Sequence, residues 1–137
     1  MDFMNIWDYN TLVEEEKNYL RFAAINIGSN AVRLFIANVF ESNEEPLFKK
    51  ANLVRLPIRL GDDSFLEGKI SDKKIEKLLS AMRAYKELMN VYNPISYRIC
   101  ATSAMREASN SSEVVDLIYK ETGLRIEVID GKTEADI

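Results

Sequence analysis

The chain has 137 residues, 47% of them hydrophobic, which suits one domain, or part of one, with a packed core and excludes a disordered chain. Its 18 basic and 22 acidic side chains leave a net charge of −4, which argues against nucleic acid as the main partner, and no apolar run approaches membrane-spanning length. With no histidine and one cysteine, the sequence excludes Ser-His-Asp and Cys-His nucleophile systems, phosphohistidine chemistry, histidine metal sites and an internal disulfide.

Residues 1–20 read as an N-terminal extension with a short acidic helix near 11–19. They carry Asp2, Asp8, Glu14, Glu15 and Glu16 against Lys17, which accounts for the whole net charge and leaves 21–137 formally neutral. A basic and apolar secretory signal is absent there, so the cytoplasm is the expected compartment. Strands are predicted over 22–27 and 31–40, joined by the tight turn Gly28-Ser29-Asn30. The polar, proline-ended stretch 41–46 turns the chain into a third strand over 47–59, broken near Pro57. These three strands are expected to form an antiparallel meander.

Gly61-Asp62-Asp63 and Glu67-Gly68-Lys69 mark a long loop. Ser71 then reads as an N-cap with Asp72 in the first turn. In the helix of about twenty residues that follows, Ile75, Leu78, Leu79, Met82, Tyr85 and Met89 recur at helical spacing and predict one buried face. Asn93-Pro94 ends it, and 96–100 is a short strand. Asn110 is expected to cap another helix with Glu113 as its capping-box partner, and Val114, Leu117 and Ile118 face inward. Gly123 stops that helix. A last strand is expected over 125–129, and Asp130-Gly131-Lys132-Thr133 starts a further helix. The order β-β-β-α-β-α-β-α predicts an α/β domain with a mixed five-stranded sheet and helices packed on it. It is similar to a ribonuclease H-like half-domain, the module found twice in actin-like ATPases.

Two segments carry chemistry. In the first, Gly28 lets a ligand approach the backbone, Ser29 and Asn30 add side-chain donors, and Arg33 adds a fixed positive fork; phosphate recognition needs these groups. The plain alternative is a surface turn. The second, Ile99–Asn110, supports two mechanisms. Cys100 and Arg106 stand in the C-x5-R spacing of cysteine phosphatases, although no glycine lies between them. Alternatively, Thr102, Ser103 and Arg106 line a cleft at the carboxyl end of the fourth strand, where open α/β sheets place ligands. Without histidine, general-base work falls to a carboxylate, and a metal would be a hard cation held by oxygens.

The runs AAINIGSNAVRLFIA, RLGDDSFLEGKIS, ATSAMREASN and TGLRIEVIDGKTEA, in that order and spacing, closely resemble the N-terminal half of the exopolyphosphatase and guanosine pentaphosphate phosphohydrolase family over residues 21–137. The resemblance implies an actin-like, two-domain phosphohydrolase, homodimeric as a whole protein, that removes terminal phosphate from polyphosphate or guanosine pentaphosphate with Mg²⁺. By the same resemblance, Gly28, Ser29 and Asn30 form the first phosphate loop; Ser103, from the cleft reading above, is expected to bind phosphate beside them. Arg33 and Arg106 hold the scissile phosphate, and Glu134 activates the attacking water. Asn26 stands where the family usually has aspartate, which opens a second expectation, a binding protein that has lost hydrolysis. The family also carries a second, glycine-rich phosphate loop and a second lobe. The 137 residues are therefore expected to be an excised domain that folds but is inactive alone.

Overall fold

The computed structural model describes residues 19–40 and 47–130. Strands β1 (Tyr19–Ile27), β2 (Val32–Phe40) and β3 (Leu47–Leu56) form the expected antiparallel meander. Strands β4 (Ser96–Ala101) and β5 (Glu127–Val128) add to the free side of β1 in parallel, which gives the order β3-β2-β1-β4-β5. This is the mixed five-stranded α/β sheet that the element order predicts.

Alternation along the strands decides which face is filled. Ala23, Ile25 and Ile27 of β1 pair with Ile36, Leu34 and Val32 of β2, and all six are buried. Ile99 and Ala101 of β4 extend the same row. Helices α2 (Asp72–Tyr92) and α4 (Ser111–Thr122) close this face. From α2 come Leu78, Leu79, Ala81, Met82, Tyr85 and Met89, and from α4 come Val114 and Ile118. Burying each large aliphatic side chain contributes about 1.5–3 kcal/mol. Tyr85 is fully buried, and its hydroxyl hydrogen is shared between the carbonyls of Val32 (2.7 Å) and Val54 (3.0 Å).

The opposite face carries Leu20, Phe22, Ala24 and Asn26 of β1. Register places Arg33 of β2 and Cys100 of β4 on either side of Asn26. A cavity of about 530 Å³ lies there, lined among others by Ala24, Asn26, Phe35, Arg98, Cys100 and Ile129.

Several expectations are corrected. The loop expected at 61–69 is mostly a helix, α1 (Leu60–Glu67), which buries Leu60, Gly61 and Ser64. Its first position is preceded by Arg59 in the left-handed region (φ 59°), and Gly68 (φ 75°) ends it by donating to Ser64 O. Of the three buried residues of α1, two are a glycine and a serine, so hydrophobic periodicity gives little signal there. Asn110 does not form the expected capping box, because its side chain makes no bond to its own helix. Instead Oδ1 accepts from Ile70 N (2.9 Å) and Nδ2 donates to Ile70 O (2.8 Å), as a neighbouring strand would.

Element ends also differ. Strand β3 stops at Leu56, before Pro57, where Ile58 N turns back to Leu56 O at 3.0 Å. Strand β5 keeps two of its five expected residues, and β1 starts at Tyr19, which takes in the last two residues assigned to the extension. The Ser71 cap forms as expected, accepting from Lys74 N, and Asn93 (φ 52°) and Gly123 (φ 76°) end α2 and α4 in the left-handed region. The helices expected over 11–19 and after 130 fall almost wholly outside the described residues.

Candidate active site

The carboxyl ends of β1, β4 and β5 converge, because they are parallel neighbours. Thr102 N donates to Ile27 O (3.1 Å), and Ile129 N donates to Ala101 O (3.0 Å). These bonds carry the parallel ladder one residue past each strand and hold the loops that follow. Open α/β sheets bind ligands at such an edge.

From β1 the chain enters the hairpin Gly28–Ala31. Gly28 N donates to Ala31 O at 3.0 Å, so this amide is used inside the turn. A Cβ at Gly28 would sit 3.2 Å from Ala31 O, a tight contact that favours glycine there. Ser29 O accepts from Gly61 N (2.8 Å) and Asn30 O accepts from Arg59 N (3.0 Å). The peptide unit is planar and trans, so its N–H points opposite to its carbonyl. With both carbonyls aimed at α1, the N–H groups of Asn30 and Ala31 turn away from it.

Helix α3 (Ser103–Glu107) follows β4 directly. Ser103 Oγ lies 2.8 Å from Ser29 Oγ, and Ser64 Oγ of α1 donates to Ala104 O. The hairpin, α1 and α3 therefore brace one another. Arg33 is half-buried on β2, opposite Asn26. Arg106 Nη1 donates to Ile129 O (2.8 Å), and its Nε lies 3.8 Å from Glu107 Oε1. Gly28, Ser29, Asn30, Arg33, Ser103 and Arg106 thus gather at one end of the sheet. Glu134 follows Ile129 by five positions and lies outside the described residues.

The C-x5-R mechanism does not survive this geometry. Cys100 is a strand residue, paired with Asn26 and Glu127 and 7% exposed. Burial pushes its thiol pKa up, with Glu127 adding to the rise and Arg98 opposing it, whereas a nucleophilic cysteine needs a lowered one. Residues 103–107 form a helix instead of a loop of amides, and Arg106 reaches the end of β5.

Asn26 Oδ1 is buried without a hydrogen-bond partner. Among the described residues, no three acidic or cysteine side chains gather as a metal cluster. Magnesium usually takes one or two carboxylates along with phosphate oxygens and water; Asn26 Oδ1 offers it a neutral amide, a poorer ligand, so phosphate and water would supply the rest. What the sequence did not reveal is the part played by Arg59 and Gly61, whose backbones hold the hairpin; the acids Asp62 and Asp63, placed in a first helical turn, were the signal for α1.

Comparison with known proteins places this geometry in context. A model of the Ppx/GppA phosphatase family matches residues 39–137. The chain belongs to the Ppx/GppA phosphatase family. The matched stretch takes in Ser103, Arg106 and Glu134, while the hairpin precedes it. Among its relatives, a bifunctional 3-dehydroquinate synthase/phosphatase of Fusobacterium nucleatum is 33% identical over 129 residues, which cover 92% of this chain and 19% of that protein. Exopolyphosphatase 1 of Mycobacterium leprae is 28% identical over 85% of this chain and 33% of its own length. The crystal structure of the Aquifex aeolicus Ppx/GppA family member superimposes with a TM-score of 0.77 at 28% identity, covering 85% of this chain and 37% of that one. This is the actin-like ATPase type of fold that the element order resembles. The chain spans about a third or less of the length of these relatives. Among the described residues no helix is long and apolar enough to cross a membrane.

Proposed function

We propose that this chain supplies the phosphate-binding half of a phosphohydrolase that releases terminal phosphate from inorganic polyphosphate or guanosine pentaphosphate. The observation that carries this reading is the hairpin after β1, whose Ser29 and Asn30 carbonyls are drawn to α1 while Ser29 Oγ meets Ser103 Oγ. Such a turn offers the amide donors of Asn30 and Ala31 on the side away from α1, as binding of a chain-end phosphate requires. Membership of a phosphatase family with exopolyphosphatase relatives supports the same chemistry.

In this mechanism a water oxygen attacks the terminal phosphorus and the bridging P–O bond breaks. The water proton passes to the carboxylate of Glu134, and the shortened phosphate chain leaves as an anion. Arg33 and Arg106 offset charge that builds on the transferred group. Asn26 would hold the magnesium ion, which when bound supplies further neutralisation of the phosphate oxygens. The test is phosphate release from both substrates by the protein that carries this chain. Glu134→Gln should lower kcat by about 10²–10⁴; full activity in that variant removes Glu134 from the mechanism.

A second reading rests on Asn26, a neutral amide whose Oδ1 has no partner. Under it the protein binds guanosine pentaphosphate without turning it over. Tight binding with no release of phosphate, and turnover gained in Asn26→Asp, would favour this reading over the first.

A further inference from the structure

We infer that Gly61 is a positioning residue for the phosphate-binding hairpin, acting through the backbone of Ser29 and Asn30. This rests on the proposed role of the hairpin. Gly61 is the second residue of α1 and is buried. Its φ is negative, so no backbone strain calls for glycine, and alanine is the better helix former at such a position. What requires glycine is contact. A Cβ built there meets Ser29 Cβ at 3.0 Å, Ser29 O at 3.2 Å and Phe65 Cε2 at 3.0 Å. The Phe65 ring end can move, because that side chain is 56% exposed. Ser29 cannot move without cost, because its carbonyl accepts from Gly61 N and its hydroxyl bonds Ser103.

The absent side chain has a consequence for binding. At this distance Gly61 N reaches Ser29 O at 2.8 Å, and Arg59 N reaches Asn30 O at 3.0 Å. Those two bonds set the planes of two successive peptides and so turn the N–H groups of Asn30 and Ala31 away from α1. A methyl group at 61 pushes the hairpin off α1, rotates both amides and strains the Ser29–Ser103 link. Helix α1 is in turn anchored to α3 by Ser64 Oγ on Ala104 O. One short helix therefore braces both the hairpin and the helix that carries Ser103, and Gly61 is where it meets the hairpin.

The test uses the 137-residue chain, ¹⁵N-labelled, with tripolyphosphate as the probe. Gly61→Ala should shift the amide resonances of Ser29, Asn30, Ala31 and Ser103 without ligand and weaken tripolyphosphate binding about tenfold or more. Gly68→Ala is the control for plain destabilisation. Gly68 lies at φ 75° with no atom within 4 Å of an added Cβ, so this variant should lower the melting temperature while leaving those resonances and the affinity unchanged. A folded Gly61→Ala chain with unmoved resonances and wild-type affinity overturns the inference. If Gly61→Ala does not fold, Ser29→Gly in the same chain removes the Cβ contact; recovery of folding supports the inference, and failure to recover overturns it. A wild-type chain that ignores tripolyphosphate refutes the phosphate-binding role of the hairpin, and the ligand-free resonances then decide the role of Gly61 by themselves.

Discussion

Ser29 Oγ and Ser103 Oγ, 74 positions apart in sequence, lie 2.8 Å from each other and join the hairpin after β1 to the helix after β4. Each hydroxyl completes the other, so the bond is lost whichever serine is replaced. Ser29→Ala and Ser103→Ala should each cost about 0.5–1.5 kcal/mol, and the double variant should lose clearly less than the two costs added together. Urea unfolding of the four chains measures this coupling. Strict additivity would mean that the two loops are held independently.

Asn110 separates two roles that share one chemistry. As a helix cap, asparagine and aspartate are about equal. As the partner of Ile70, asparagine is required, because Nδ2 donates to Ile70 O at 2.8 Å while Oδ1 accepts from Ile70 N at 2.9 Å. Asn110→Asp turns a carboxylate oxygen toward a carbonyl oxygen. It should therefore destabilise by about 1–3 kcal/mol, close to the effect of Asn110→Ala. Chemical denaturation at neutral pH checks this, and wild-type stability in Asn110→Asp would restore the capping role.

Tyr85 gives the fold an alkaline limit. Burial pushes its phenol from the ordinary 10.0 up to about 12. The unfolded chain releases this proton near pH 10 while the folded chain keeps it. The unfolded state thus binds fewer protons across the interval, and stability falls as pH rises from about 10 to about 12. Tyr85→Phe leaves the Val32 and Val54 carbonyls without their donor, so it should cost about 1–3 kcal/mol at neutral pH and flatten this part of the pH dependence. Stability curves of both chains between pH 8 and pH 12 provide the comparison.

These residues also show what was legible in the sequence. The buried face of α2 was legible because large side chains recur at 3.6-residue spacing, and Leu78, Met82, Tyr85 and Met89 are buried as expected. The turn Gly28–Asn30 was legible because strand-length apolar runs flank it. Helix α1 was not, because its contact with the hairpin is made by a glycine, which leaves no hydrophobic signal. Asn110 misled for a different reason: an amide serves a helix end and a distant backbone equally well, and only tertiary structure chooses between them. The end of β5 was overextended because Ile126 and Ile129 are buried without belonging to the strand. Of the candidate site, the Ser29–Ser103 link and the Arg106 bond to Ile129 O needed the strand order before they could be seen.

Cys100 offers the cleanest test of the site chemistry, since it is the chain's single thiol. It is 7% exposed within β4, and burial pushes its pKa up, so at pH 8 little of it is thiolate and reagents reach it poorly. A disulfide-exchange reagent should therefore modify the folded chain at least about tenfold more slowly than the chain in concentrated urea. Cys100→Ala removes a small, polarisable side chain from the sheet and should cost about 1 kcal/mol through the void it leaves. It should leave tripolyphosphate binding and any phosphate release by the whole protein unchanged, because in the proposed mechanism water, and not the thiol, attacks phosphorus. Rapid labelling of the native thiol, together with loss of turnover in Cys100→Ala and a trapped phosphothiol in the wild type, would return the mechanism to the cysteine and Arg106.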